Sequence, residues 1–278
     1  MKEPEMVVVK AGELTLGSTA EEIKQIEKEF PDFETKLLER EIPQHKVFLD
    51  TFSISKYSIT NFEFEKFIEE TKYITTAEKE GKGFVFDPKF KVVEGAFWKC
   101  PLGPESNLMN KERHPVVQVS WFDAIAYCRW LSVKTKHIYR LPTEAEWEKA
   151  ARGTDKRIFP WGNKWEPTFC NSDYRFEGTT PVDYFEKNNI GPYGCVDMGG
   201  NVFEWTSTSI GNTEPWPAKY IYPYNQDDGR EDLGSETRRV SRGGSYSRSW
   251  IYCRNTFRFA DMPSDRYSAQ GFRVVGLI

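Results

Sequence analysis

Hydrophobic and polar positions in the first half of the chain predict three capped helices. The stretch Asn61–Thr71 carries apolar residues at helical spacing, and Thr60 with Glu63 forms the pattern of a capping box. The same kind of periodicity predicts a second helix at Trp121–Thr135, and Thr143 precedes a third. Each helix would bury one apolar face.

Alternating apolar and polar residues predict short strands between these helices. Met6–Gly17 is predicted as a hairpin, Ile42–Tyr57 as a half-buried strand and Val116–Ser120 as a short buried strand. Helical periodicity stops after Gly153, and the polar stretch Thr206–Ser235 is predicted as a surface loop. These patterns favour a compact, irregular α+β fold with low regular secondary structure.

The last forty residues, 239–278, keep neither period, and we call them the C-terminal segment. They combine arginines, aromatic side chains and Gly-Gly turns. Irregular backbone of this kind usually lies at a binding surface, because loops hold recognition residues on a rigid scaffold. The candidate ligand-binding residues of the segment are Ser247, Arg248, Trp250, Ile251, Tyr252, Asn255, Phe257, Phe259, Met262, Asp265, Tyr267 and Gln270.

Composition narrows the range of partners. The chain has 278 residues, a net charge of −4 and 15% aromatic residues, which suits a folded protein with an aromatic core but provides no basic field for nucleic acid. No run of apolar residues is long enough for a membrane span. We expect one domain over residues 1–278. A native start at Met1 would indicate the cytoplasm, and a removed signal segment the cell surface.

Cysteine and histidine spacing argues against the commonest metal sites. The five cysteines are widely separated and form no CxxC pair, which gives a structural zinc site little support. The three histidines lie far apart in unlike contexts, so an iron or zinc site rich in histidine is not expected.

Several ordered motifs nevertheless carry a resemblance. Together they resemble the family of formylglycine-generating enzymes, also called sulfatase-modifying factors, from about Met6 to Val275. The resemblance implies a compact α+β domain related to C-type lectins. The motifs are Val119-Ser120-Trp121, Leu141–Trp147, Pro160-Trp161-Gly162, Gly199–Trp205 and Arg242-Gly243-Gly244-Ser245.

The resemblance also implies copper-dependent oxidation of a peptide cysteine, through two cysteines five residues apart. The second position is matched by Cys253, but the first falls on Arg248. Soft sulfur ligands select Cu(I), and an arginine is not a ligand, so copper is not expected. The tryptophan beside the family's oxygen pocket falls on Phe203, and its serine is matched by Ser245. Cys253 would be catalytic only if the chain were an oxidase with other ligands; otherwise it is a small buried hydrophobe.

Calcium is the metal that the resemblance leaves open. One implied site comprises Asp197, Gly200, Val202 and Glu204, where carboxylates and backbone carbonyls make a set of hard oxygen ligands. The alternative for that stretch is a Gly-Gly turn whose Glu204 accepts hydrogen bonds from the backbone. A second, weaker segment comprises Asn171, Ser172, Tyr174 and Phe176, where the expected carboxylate falls on Tyr174.

The C-terminal segment is also similar to variable proteins of diversity-generating retroelements, which use this lectin-like fold. In that comparison glycines and arginines form a framework, and the residues in the gaps vary and bind ligands. The framework positions here are Gly243-Gly244-Ser245, Cys253-Arg254, Arg258, Pro263, Arg266 and Gly271-Phe272-Arg273.

We therefore expect a domain that binds a protein or small-molecule ligand through its C-terminal loops and is not an enzyme. The alternative is a copper- or iron-dependent oxidase or oxygenase of the same family, acting on a cysteine-containing peptide or a small thiol. A third interpretation is an accessory member that binds a partner chain through the connection Thr75–His114.

Overall fold

The computed structural model describes residues 3–86 and 89–277, which form short helices packed against two four-stranded and two two-stranded sheets. The α-helices are α1 Ala20–Glu29, α2 Thr35–Leu38, α3 Asn61–Thr71, α4 Thr76–Glu80, α5 Trp121–Thr135 and α6 Glu144–Arg152. The strands are β1 Met6–Val9, β2 Gly12–Leu16, β3 His45–Leu49, β4 Phe52–Ser55, β5 Lys82–Phe86, β6 Phe90–Glu94, β7 Tyr139–Arg140, β8 Phe203–Gly211, β9 Arg238–Arg242, β10 Phe259–Asp261, β11 Gln270–Phe272 and β12 Val275–Gly276. The predicted α+β class is confirmed.

The three long helices predicted from periodicity are confirmed, together with their capping residues. Thr60, Ser120 and Thr143 each accept a hydrogen bond from the backbone amide three residues later. In each case the acidic residue at that position bonds back to the cap, so two otherwise unpaired amides are satisfied at every start. These local rules fix where α3, α5 and α6 begin.

Strand pairing differs from the prediction at the start of the chain. Met6–Gly17 is not a hairpin, because β1 pairs with β4 and β2 pairs with β3. The predicted strand Ile42–Tyr57 is likewise two strands, with a break between Leu49 and Phe52. β1 and β2 therefore pair with strands further along the chain and not with each other. Alternation of apolar and polar residues predicts a strand but does not specify its partner.

Val116–Ser120 is buried, as expected, but is not a strand. Gln118 has φ +58°, which breaks the pleat, and its side-chain amide donates to the carbonyls of Phe84 and Pro101. A buried polar side chain thus satisfies backbone groups that a strand partner would otherwise pair.

The first four-stranded sheet has the order β1-β4-β12-β7. Val275 in β12 pairs with Ile54 on one side and with Arg140 on the other, so the end of the described chain is the inner strand between two earlier ones. This pairing fixes the C-terminal end of the C-terminal segment in the core.

The second four-stranded sheet has the order β10-β9-β8-β11 and carries the candidate site. All nine residues of β8 are buried, although six of them fall in the stretch Thr206–Ser235 that the sequence predicts as a surface loop. The polar residues of β8 are buried with partners: the hydroxyl of Thr206 donates to the carbonyl of Val240. The loop prediction is therefore wrong for 206–211.

The connection Thr75–His114 is ordered where it is described, and contains α4 and the β5–β6 hairpin. Phe84 in this hairpin forms a bridge with Tyr267, which brings the hairpin against the C-terminal segment. In the parts of the chain that the structure describes, no helix is long and apolar enough to cross a bilayer.

Candidate functional site

Buried ion pairs fix the C-terminal segment to the rest of the molecule. Six of its arginines are buried, and five of these six meet a glutamate from outside the segment. An unpaired buried charge costs several kcal/mol, so each pair holds two distant stretches of backbone together. The pairs are Arg242 with Glu148, Arg254 with Glu41, Arg258 with Glu144, Arg266 with Glu80, and Arg273 with Glu204.

Helix α6 receives two of these arginines. Glu144 and Glu148 are four residues apart and therefore lie on one face of the helix. Arg258 donates two hydrogen bonds of 2.7 Å to Glu144, and Arg242 donates to Glu148. Burial opposes ionisation of Glu144, but the Arg258 and Arg242 guanidinium groups hold its pKa below the usual value. Glu144 and Glu148 thus bind two arginines of the C-terminal segment and hold it against α6.

Within this frame a cavity of about 30 Å³ lies between the C-terminal segment and the side chains of Phe86 and Phe203. Four aromatic rings, two serines and two acid or amide side chains surround it, together with one arginine. Half-exposed residues such as Phe86 and Arg248 mark its solvent side, and buried residues such as Asp261 and Gln270 mark its inner end. The lining residues are Phe86, Phe203, Ser245, Ser247, Arg248, Phe259, Asp261, Tyr267, Ala269 and Gln270.

Asp261 is the one carboxylate that lines this cavity among the described residues. Its oxygens are 3.3 Å from the Tyr267 hydroxyl and 3.5 Å from Nε2 of Gln270, which are long hydrogen bonds. Burial, together with the nearby Asp265 charge, raises the pKa of Asp261 to about 7. Oε1 of Gln270 has no hydrogen-bond partner among the residues that the structure describes.

Arg248 differs from the paired arginines of the segment. Its guanidinium carbon lies 4.2 Å from the centroid of the Phe86 ring and 5.4 Å from that of Tyr252. The salt bridges found in residues 3–86 and 89–277 do not include it. Stacked on rings and half exposed, this guanidinium keeps donors free for an anionic group.

The twelve candidate ligand-binding residues separate into three groups. Ser247, Arg248, Phe259, Tyr267 and Gln270 line the cavity. Met262 and Asp265 lie in a turn, where the Asp265 carboxylate accepts a hydrogen bond from the Met262 amide. The remaining residues do not line the cavity and are Trp250, Ile251, Tyr252, Asn255 and Phe257.

Burial corrects three residues of that last group. Ile251 and Phe257 pack against Ile23 and Leu38, and the amide of Asn255 donates to the carbonyl of Arg157. Their side chains are thus occupied inside the protein and present no contact area. Among the aromatic candidates, Trp250, Tyr252 and Phe259 remain half-buried, so part of each ring faces solvent. That these rings bind a ligand stays a prediction.

Two cysteines lie close together beneath the Gly-Gly turns. A hydrogen bond to Cys170, together with burial, raises the pKa of Cys253 well above the usual value. Both thiols are fully buried, and a Cβ atom added to Gly244 would lie 2.9 Å from Sγ of Cys253. The expectation that Cys253 is buried agrees with this placement. Sequence spacing did not indicate Cys170 as its neighbour.

The stretch implied as a calcium site is a tight turn with a buried carboxylate. Burial raises the pKa of Asp197 to about 8, and its oxygen accepts a 2.7 Å hydrogen bond from Nδ2 of Asn201. Both oxygens of Glu204 already accept from Arg273, and also from Ser58 or Trp147. Glu204 therefore has side-chain partners without a metal, and calcium at this stretch stays a prediction.

The second implied segment is also internally bonded. Nδ2 of Asn171 donates to the carbonyl of Gly178, and the Asn171 carbonyl accepts from the Asn201 amide. Tyr174 has φ +55° and its amide donates to the Tyr246 carbonyl. Within 3–86 and 89–277 no three His, Cys, Asp or Glu side chains are grouped to hold a metal.

Comparison with known proteins identifies the family. The model described as "Sulfatase-modifying factor enzyme 1-like domain" matches residues 1–278. The chain belongs to this family. It is 34% identical over 304 residues to the formylglycine-generating enzyme of Mus musculus, covering 96% of this chain and 74% of the mouse protein. The family resemblance predicted from the motifs is confirmed.

Other family members differ in what their names state. The "Inactive C-alpha-formylglycine-generating enzyme 2" of Mus musculus is 35% identical over 237 residues, covering 75% of this chain and 70% of that protein. The "Hercynine oxygenase" of Mycolicibacterium smegmatis is 31% identical over 249 residues, covering 85% of this chain and 55% of that protein. The sulfatase-modifying factor family thus includes oxidoreductases and a member named as inactive.

Solved structures confirm the fold. The structure of PvdO from Pseudomonas aeruginosa superposes with a TM-score of 0.69 and 26% identity, covering 100% of both chains. Treponema denticola variable protein 1 superposes with a TM-score of 0.63 and 20% identity, covering 98% of this chain and 95% of that one. The sulfatase-modifying factor fold of this chain is therefore shared with a variable protein, as the C-terminal pattern indicates.

Proposed function

We propose that this chain is a ligand- or protein-binding member of the family whose site is formed by the C-terminal loops. The observation that carries the proposal is Arg248. At the position where the family resemblance requires a copper ligand, its guanidinium stacks on Phe86 and Tyr252. A permanently charged, ring-stacked arginine suits recognition of a ligand and is unsuited to holding a metal ion.

The relatives are compatible with this proposal. One mouse relative is named as inactive, so a family framework without oxidase activity has a precedent. The likeness to the Treponema variable protein concerns the fold alone at 20% identity, and it supports a lectin-like framework for the binding loops. Half-exposed aromatic rings beside Arg248 have the composition found at binding hot spots.

The binding test compares two arginine variants. A peptide-display library is selected on the wild type, and each enriched peptide is then measured against Arg248→Glu and Arg129→Glu. Arg129 is exposed on α5, away from the segment, and carries the same charge change. We expect affinity to fall at least tenfold in Arg248→Glu and to stay unchanged in Arg129→Glu. Peptides whose affinity is unchanged in both variants would show that the C-terminal loops are not the site.

A second candidate function rests on the contact between Cys170 and Cys253. Both thiols are buried, and Cys170 is near enough to raise the pKa of Cys253, so the pair could supply two sulfur ligands even though Arg248 replaces one family cysteine. When bound, Cu(I) would supply oxygen-dependent oxidation of a peptide cysteine or small thiol. In this case the two sulfurs would hold the ion, and Ser245 and Phe203 would form the adjoining pocket.

The test for this candidate measures Cu(I) affinity by competition with a chelator and oxygen uptake with a cysteine peptide. Stoichiometric Cu(I) binding that disappears in both Cys170→Ser and Cys253→Ser, accompanied by oxygen uptake, would establish the oxidase and overturn the binding proposal. Cys128→Ser serves as the control, because that buried thiol lies in α5.

A further inference from the structure

We infer that the cavity of the C-terminal segment takes the primary ammonium group of a small zwitterion, with Asp261 as its counter-ion and Arg248 as the partner of its anionic group. The inference rests on the proposed function, since it assigns a ligand class to the same site. It is drawn from the size, the lining and the charges of the cavity.

The inner end of the cavity is built to accept hydrogen bonds. Asp261 holds only long bonds to its neighbours, and Oε1 of Gln270 is buried without a partner among the described residues. A buried acceptor that lacks a donor is costly. Hydroxyls of Ser245 and Ser247, 3.2 Å apart, line the same space. An N–H donor with several hydrogens satisfies such a set, and a primary ammonium group has three.

The walls and the volume refine the ligand class. The Phe203 and Phe259 rings stack with centroids 5.1 Å apart, and Tyr267 and Phe86 are 5.7 Å apart on the same cavity. Ring faces attract cations and cover an alkyl stem. A volume of about 30 Å³ holds roughly two water-sized groups, so an ammonium head fits and a trimethylated head does not.

The solvent side of the cavity carries the positive charge of Arg248, opposite in sign to ionised Asp261 at the inner end. Arg248 forms no salt bridge in the part of the chain that the structure describes, and it lies over Phe86, which also lines the cavity. A ligand with an amine alone would be repelled there. A ligand whose anionic group lies a few bonds outside the ammonium would meet Asp261 inside and Arg248 outside, so both charges are complemented.

Asp261 also predicts how binding depends on pH. The groups that act on buried Asp261 are the Asp265 charge, the Tyr267 hydroxyl and the Gln270 amide, together with the positive charges of Arg238 and Arg40. Since burial raises the pKa of Asp261 to about 7, the free site is partly protonated at neutral pH. An ammonium group pairs with the ionised form, so affinity should rise from pH 6 to pH 8 and binding should release a proton.

The probe is 4-aminobutyrate, measured by isothermal titration against the intact chain. We expect it to bind the wild type at least tenfold more tightly than butyrate, n-butylamine or 4-(trimethylammonio)butyrate. We expect Asp261→Asn to weaken it by tenfold to a hundredfold, as loss of a charge-assisted hydrogen bond implies. If Asp261→Asn does not fold, Gln270→Met removes the second acceptor at similar size and should weaken binding by about tenfold.

The outcomes separate the inference from the proposed function. Equal affinity of folded Asp261→Asn and wild type, or no binding of 4-aminobutyrate, overturns the inference. If peptides that depend on Arg248 still bind in that case, the binding function stands with a different ligand class. If butyrate binds as tightly as 4-aminobutyrate, the site recognises an anion alone and Asp261 has no role in recognition.

Discussion

The buried pair between Arg258 and Glu144 gives the sharpest test of how the C-terminal segment is held. Both side chains are fully buried, and the guanidinium donates three hydrogen bonds of 2.7 Å, two to Glu144 and one to the Arg40 carbonyl. Replacing one partner of a buried pair costs about 3–5 kcal/mol, because the other charge stays unpaired. Glu144→Gln should therefore remove at least about a fifth of a typical stability of about 5–15 kcal/mol.

The assay is equilibrium unfolding in urea, followed by the fluorescence of the nine tryptophans. The control is Glu70→Gln, which breaks an exposed pair with Lys134 whose side chains are 38% and 44% accessible. That change should cost less than about 1 kcal/mol. If Glu144→Gln costs no more than this control, the pair does not hold the segment and the structural reasoning fails.

The same variant predicts a dependence on pH. The pKa of Glu144 is lowered in the folded state, so its ionised form stabilises the protein above the unfolded pKa of about 4.5. That stability is lost as pH falls through the lower folded pKa. The difference between wild type and Glu144→Gln should thus be full at pH 7 and shrink below pH 4. A difference that is constant from pH 7 to pH 3 would contradict an ionised Glu144.

Three further predictions concern the glycine turns and the acidic turn beside them. Burial raises the pKa of Asp197 to about 8, so the carboxylate is ionised at an unfavourable buried position at pH 9 and is neutral near pH 4. Asp197→Asn should therefore stabilise the metal-free chain by up to about 5 kcal/mol at pH 9 and have no effect near pH 4. Equal urea midpoints of the variant and the wild type at pH 9 would contradict this. If calcium binds there, about 1 mM calcium should raise the Tm of the wild type and leave that of Asp197→Asn unchanged, and equal shifts would place calcium elsewhere. Gly244→Ala should cost about 1–3 kcal/mol in urea unfolding, since φ is +72° and the new Cβ would lie 2.9 Å from Sγ of Cys253; a loss below about 0.5 kcal/mol would mean that the turn relaxes.

Helix starts were predictable from sequence because their causes are local. Thr60, Ser120 and Thr143 cap helices through residues three positions away, and the structure shows all three bonds. Strand pairing was harder to predict from the sequence. Nothing within Met6–Gly17 indicates that β1 pairs with β4, since that choice depends on packing far along the chain.

Polarity was misleading where buried polar groups find partners. The Thr and Ser residues of β8 suggested a loop, yet Thr208 in its centre donates to Glu231 at 2.6 Å. The segment's arginines were predicted as framework positions, but their glutamate partners became known only with the structure. Pairings between residues a hundred positions apart leave no local periodicity to detect.

The candidate site was predicted in part. Arg248, Phe259, Tyr267 and Gln270 were picked from the gaps of a pattern and do meet at one cavity. Asp261 was missed. In the sequence Asp261 is only a carboxylate that follows two apolar residues. Its position in the cavity depends on contacts such as the one with Tyr267, which only the fold shows.

The position of β12 between β4 and β7 has a consequence for biosynthesis. Until Val275 has left the ribosome, that sheet lacks an inner strand, and β4 keeps an unpaired edge exposed to other nascent chains. Folding of this unit should therefore wait until residue 276 has left the ribosome, and stalled products that end earlier should bind chaperones rather than mature.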